Sequence, residues 1–339
     1  MCCGGSLWRI AAIRRPACAI DRMTPRATIG RVGVSVPCMS SRGTWRGRRA
    51  LVLPVVAVVA MLGLVGCGVD GTPQRATPKE PIHCSATECP ELPVFSAKRL
   101  APSGVNDANE STAVPAYLTA VLDDLDVVWQ DWFAQLNIEE ASAGRVLIAP
   151  GQAFHSDCLG SGELPDGIPS DFPNAFFCPR DNQPDGSGTN RQGSVILPVQ
   201  TFTDIWNGKL MGSSGIMLGD FTAATIIAHE YGHNVVYRLG KAYGVSETGG
   251  PSGDDKELIA DCFAGNWAAT VFERKDLSFT SILQAAALIV SVGDAAPGQG
   301  HGTSVARAEA LWRGFSDNLK RQGQPGDCLK RYWPAVLKS

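Results

Sequence analysis

Residues Phe221 to Leu239 read FTAATIIAHEYGHNVVYRL, an apolar run carrying His229-Glu230-Tyr231-Gly232-His233. As a helix, the run projects His229 and His233 from one face about one turn apart, the separation at which two imidazoles can grip one zinc ion. Glu230 then sits beside the ion without binding it. There a carboxylate can draw a proton from water whose pKa the metal lowers to roughly 7. The chain holds five histidines in 339 residues, so a chance occurrence of this pattern is on the order of one in several hundred. The stretch points to metal-dependent hydrolysis rather than to a core helix with stray histidines.

Zinc needs a third protein ligand, and the motif supplies two. The segment Lys256 to Gly265, KELIADCFAG, places Glu257 and Asp261 four residues apart, on one face of a second helix. Glu257 is expected on the zinc and Asp261 on the ring N–H of His229, where a carboxylate fixes the tautomer of a ligand histidine. The exchanged assignment, Asp261 as ligand with Glu257 in support, stays open. Taken alone, the pair also fits a solvated helix surface.

The segments IIAHEYGHNV, ELIADCFAGNWA and HGTSVAR, in that order and preceded by AFFCPRD, resemble the bacterial neutral zinc metallopeptidases, whose helix-motif-helix arrangement is similar to the thermolysin-like zincins. The resemblance spans residues 115 to 325 approximately. The family's HExxH falls on His229, Glu230 and His233, and its ExxxD on Glu257 and Asp261. Tyr231 and Asn234 depart from the family's usual choices without removing a ligand. The resemblance implies an α+β, zincin-like fold with a helix-dominated core and a small sheet, one Zn2+ ion, and a peptide or protein substrate. It also brings forward His301, in the HGTS segment, as a candidate catalytic residue that stabilises an oxyanion. The plainer role for His301 is to cap the next helix or bond a loop carbonyl. Tyr231, Tyr243 and His155 are the other candidates for the polarising donor.

Hydrophobic residues make up 44% and charged residues 19% of the chain, a globular composition. Residues 1–66 hold ten of the 30 basic residues and one acid, Asp21, which leaves 20 basic against 32 acidic residues, a net charge of −12, in the remainder. An acidic body argues against nucleic acid as a partner.

Three regions are expected: an N-terminal extension with an export signal (1–66), a tether rich in Pro, Thr and Ser (67–115) and a catalytic domain (116–339). Met39 is an alternative start to Met1, because Arg42, Arg46, Arg48 and Arg49 then precede the apolar stretch Ala50 to Gly66. The stretch ends in Leu64-Val65-Gly66-Cys67, which resembles a lipobox with Cys67 as the lipidated residue. An uncleaved signal anchor is the alternative; the run is short for one and contains Pro54. Either way the domain is expected outside the cytoplasm, tethered to the membrane.

With Cys67 lipidated, six cysteines remain downstream. Cys84 with Cys89, Cys158 with Cys178, and Cys262 with Cys328 are the preferred disulfides, although six cysteines allow fifteen pairings. No CxxC repeat supports a zinc–thiolate site, and His83 beside Cys84 lacks a ligand set.

Tyr117 to Asn137 carries Leu118, Val121, Leu122, Leu125, Val128, Trp129, Trp132, Phe133 and Leu136 in helical rhythm. Arg145 to Pro150 and Ser194 to Pro198 read as strands, with a Gly/Pro-rich excursion from Gly151 to Gly193 between them. By the resemblance to the zincins, in which a strand above the metal helix binds extended substrate, Val195 to Pro198 is a candidate for that edge. Ser278 to Val292 and Thr303 to Arg321 read as further helices. A different class of function, a zinc-stabilised surface lipoprotein without catalysis, would require a closed site of four protein ligands.

Overall fold

The computed structural model describes residues 80–337, apart from 86–87, 94, 97, 160–163, 210–218, 246–248, 277, 279, 282, 285, 288–292, 295 and 318–320. The export signal, Cys67 and the start of the tether lie outside the described residues, as does much of the helix expected from Ser278 to Val292.

The fold is α+β. Among the described residues the first helix, α1 (Glu110–Gln135), begins before the expected Tyr117 because its early turns accommodate Pro115. The stripe from Leu118 to Phe133 is fully buried, as its period requires. Strand β1 (Gly144–Ile148) follows, then a short antiparallel pair, β2 (Ala153–Phe154) and β3 (Ile168–Pro169). Strands β4 (Phe176–Pro184) and β5 (Asn190–Pro198) form a hairpin, and helix α2 (Val199–Trp206) continues from it.

Two long helices carry the motifs: α3 (Asp220–Ala242) and α4 (Asp255–Glu273). Helix α5 (Ser304–Phe315) stops well before the expected Arg321, because Ser316 is extended and starts β6 (Ser316–Asp317), which pairs with β7 (Arg321–Gln322). Helix α6 (Pro325–Tyr332) opens with a capping box between Gln324 and Asp327.

The main sheet has the order β1-β5-β4, with β1 parallel and β4 antiparallel to β5. This corrects two expectations. The Gly151 to Gly193 excursion contains a nine-residue strand, β4, whose sequence FFCPRDNQP has little β-character beyond its two phenylalanines. Val195 to Pro198 belongs to the central strand: all four residues pair with β1, and Val195 and Ile196 also pair with β4, the edge strand on the other side of β5 from β1.

A third correction concerns the tether. From Glu80 onward the chain lies on the domain: Leu92 and Leu100 are buried, the Leu92 N–H donates to Gln324 Oε1 at 2.8 Å, and Arg99 bonds Asp124 at 2.9 Å. These anchors are single residues without periodicity, which is why the segment reads as a linker.

Glycines set the helix spacing. A Cβ on Gly265 of α4 would lie 2.0 Å from the Leu311 carbonyl of α5, and one on Gly314 of α5 would lie 1.8 Å from the Cys262 carbonyl of α4. The two backbones therefore touch, as no other residue pair would permit. The three expected cysteine pairs are all bonded: Cys84–Cys89, Cys158–Cys178 and Cys262–Cys328. The last fastens α6 to α4.

Candidate metal centre

Helix α3 is held in register by polar bonds on the face away from α4. Tyr231 donates its hydroxyl to Asp126 of α1 at 2.6 Å, Asn234 donates to the Ala141 carbonyl at 2.8 Å, and Arg238 donates to the carbonyls of Ser142 and Gln192, both at 2.8 Å. On the opposite face His229 and His233 turn toward α4. Gly232 lets α4 approach: a Cβ there would stand 2.8 Å from the Ala260 carbonyl oxygen.

The result is a cluster of His229, His233 and Glu257. Glu257 Oε2 lies 3.3 Å from His229 Nε2 and 3.6 Å from His233 Nε2. Ligand atoms on a tetrahedron with bonds of about 2.0–2.1 Å are separated by about 3.3–3.4 Å. The spacing and the two-nitrogen, one-oxygen donor set therefore fit a zinc-sized divalent ion. His233 Nε2 is buried without a hydrogen-bond partner among the described residues, as expected of a nitrogen meant for a metal. No fourth His, Cys, Asp or Glu joins the three among the described residues.

Asp261 takes the supporting position. Its Oδ1 is 2.7 Å from His229 Nδ1, which leaves Nε2 facing Glu257. Burial alone would lower the pKa of His229; the charge and hydrogen bond of Asp261, with the bond to Glu257, outweigh it and raise the pKa to about 9 before any metal charge is added. Burial likewise opposes ionisation of Glu257, yet His233 and His229 hold it well below the usual carboxylate range. A proton and a divalent cation are alternative ways to satisfy this site.

Glu230 is fully buried, and one of its oxygens accepts the Phe177 backbone N–H of β4 at 3.0 Å. The edge strand thus holds the carboxylate of the residue that follows His229. Phe177 was not a sequence-level candidate, since a backbone donor leaves no trace in residue type.

His301 lies on the loop before α5, one third exposed, with Nδ1 3.3 Å from Asp294 Oδ1 and its own N–H on Asp294 Oδ2 at 2.8 Å. The cap of α5 is Thr303, whose side chain accepts the Ala306 N–H. Neither tyrosine is available as a polarising donor: Tyr231 serves Asp126, and Tyr243 donates to the Ile82 carbonyl at 2.8 Å and stacks on His83. His155 is exposed beside β2.

Arg307 of α5 was not anticipated. Its Nε and Nη2 donate to Asp261 Oδ2 and Oδ1 at 2.7 and 2.9 Å, and the side chain is 2% exposed. Arg307 shares a helix face with Leu311 and Gly314, both buried, and that face is the one trace of its role in the sequence pattern.

An HExxH helix facing an ExxxD helix, with Glu230 held by a backbone N–H, forms a candidate metal centre on an α+β frame. Consistent with this, the chain matches the profile described as "Putative neutral zinc metallopeptidase" over residues 92–328 and belongs to that family. Among curated relatives, Mycobacterium tuberculosis Rv2575 is 38% identical over 96 residues, 24% of this chain and 32% of that protein. Escherichia coli K12 YpfJ is 28% identical over 172 residues, 45% of this chain and 52% of that protein. The matches thus cover about half or less of these relatives. No solved structure matches.

Proposed function

We propose that the protein is a zinc-dependent metallopeptidase that cleaves peptide bonds outside the cytoplasm. The observation that carries this reading is the convergence of three protein ligand atoms, with Glu230 fixed beside them. Structural zinc sites are normally closed by four protein ligands, whereas catalytic ones use three. When bound, zinc supplies Lewis acidity to the scissile carbonyl and acidifies a water.

The chain's own residues supply the rest. His229, His233 and Glu257 hold the ion. Glu230 accepts the proton of the attacking water and returns it to the leaving nitrogen, a transfer worth about 10²–10⁴-fold in rate. Asp261 keeps the ring of His229 in place. His301, oriented by Asp294, is the proposed donor to the developing oxyanion. The outer edge of β4, which already presents the Phe177 N–H to Glu230, is the proposed platform for an extended peptide.

The proposal includes location: export, with lipidation of Cys67 anchoring the domain to the outer side of the membrane. The three disulfides support an oxidising compartment. Replacing Cys67 with Ser should move the protein from the membrane to the soluble fraction.

The test of activity is a zinc-loaded soluble form, starting after Cys67, offered a peptide library beside its Glu230→Gln variant. New termini from the parent alone establish the peptidase. Stoichiometric zinc with equal background from both would favour a zinc-stabilised surface lipoprotein without catalysis.

A further inference from the structure

The two motifs bring three buried carboxylates to this region: Glu257 in the cluster itself, Asp261 on His229 and Glu230 next to it in the chain, each at most 1% exposed. A buried charge needs a partner. Two neutral histidines bring none, and a divalent ion leaves one negative charge over. Arg307, also 1% exposed, comes from a third helix and lies against the same carboxylate that holds His229.

We infer that Arg307 is a positioning residue of the metal centre, whose guanidinium fork fixes Asp261 against Nδ1 of His229 and supplies the positive charge that a divalent ion leaves missing. This rests on the metal-binding reading above and not on peptide hydrolysis.

The geometry makes the role directional. Arg307 can only donate, so both Asp261 oxygens act as acceptors toward it. Oδ1 lies 2.9 Å from Arg307 Nη2 and 2.7 Å from His229 Nδ1, so it serves two donors at once. His229 must then present Nδ1–H to Asp261 and the Nε2 lone pair to the metal. Arg307 Nη2 itself stands 3.4 Å from His229 Nδ1. Two donors at that distance are held together by the oxygen between them. The bidentate arrangement also removes the rotational freedom a single bond would leave to Asp261. Burial opposes the charge on Arg307, and Asp261 first, then Glu257 and Glu230, offset that cost. The backbone contact of Gly265 and Gly314 with the facing helix brings α5 near enough for this reach.

The test is a zinc titration against a chromophoric chelator, using the folded domain with its disulfides intact. Arg307→Lys retains the charge but loses the fork, and is expected to weaken zinc binding about tenfold. The pair Arg307→Met with Asp261→Asn leaves no unpaired buried ion and is expected to weaken it by about 10- to 100-fold. Both should alter the visible spectrum of the Co2+-substituted protein, which a purely structural role would leave unchanged. Zinc affinity within twofold of wild type, with an unaltered cobalt spectrum, overturns the inference; if Arg307→Lys does not fold, the paired variant decides. Failure of the wild type to bind zinc would remove the centre and this inference together. Tight zinc binding without peptide cleavage would overturn the proposed activity alone.

Discussion

Gly232 of α3 and Ala260 of α4 pack backbone to backbone, so that a Cβ on Gly232 would fall 2.8 Å from the Ala260 carbonyl oxygen and 2.9 Å from its Cα. The contact lies between the two pairs of motif residues, and it sets how far Glu257 stands from the two histidines. Gly232→Ala should push α4 outward by several tenths of an ångström or more. Overpacking of this kind costs roughly 1–3 kcal/mol. The expected outcome is a lower unfolding midpoint together with zinc affinity reduced at least tenfold. A destabilised variant with unchanged zinc affinity would show that the helix spacing does not govern the site.

Glu230→Gln should leave the fold and zinc stoichiometry intact, because the amide oxygen can still accept the Phe177 N–H that the carboxylate accepts now at 3.0 Å. What it loses is basicity. Peptide hydrolysis should fall by about 10²–10⁴-fold, measured as single-turnover cleavage with metal content determined on the same sample. Loss of zinc in this variant would instead place Glu230 among the ligands.

The metal motifs were legible because their spacing is local: four residues on a helix bring His229 to His233 and Glu257 to Asp261 whatever the rest of the fold does. Their mutual approach follows from Gly232, whose role is invisible until the facing backbone is known. Strand β4 was hidden because its register shifts between Cys178 and Asn182, which breaks the alternation that identifies a strand. Arg307 was hidden for another reason. An arginine on an amphipathic helix normally faces solvent, and its partner Asp261 is 46 residues away. The packed segment after Glu80 was missed similarly, since its hold on Gln324 crosses 232 residues.

The Cys262–Cys328 disulfide closes a loop of 66 residues and ties α6 to the helix that carries Glu257 and Asp261. A cross-link of this length contributes about 2–4 kcal/mol, largely by restricting the unfolded chain. Replacing both cysteines with alanine should therefore lower the unfolding free energy of the metal-free domain, measured in urea, by that amount. Zinc affinity should change much less, since neither sulfur touches the cluster. A large loss of affinity with little loss of stability would mean that the bond holds α4 in its metal-binding position.

Asp185 closes the β4–β5 hairpin, and its ionisation gives a stability contribution with a definite pH signature. Its Oδ1 accepts from the Ser187 N–H, the Ser187 hydroxyl and the Thr189 N–H at 2.8, 2.6 and 3.1 Å, and its Oδ2 from Arg191 Nε at 2.9 Å. Burial opposes the charged form, but these bonds outweigh it and hold the carboxyl well below the usual carboxylate range. A pKa depressed on folding adds stability that is fully present above the unfolded value of about 3.9 and is lost as pH falls through it toward the folded value. Asp185→Asn should thus cost roughly 2 kcal/mol at pH 7. At pH 3 the wild type has begun to lose the same contribution, so the gap between the two proteins should shrink by about 1 kcal/mol. Urea unfolding of both at pH 7, 5 and 3 measures this directly. An unchanged gap at pH 3 would mean that the hairpin depends on the shape of the Asp185 side chain and not on its charge.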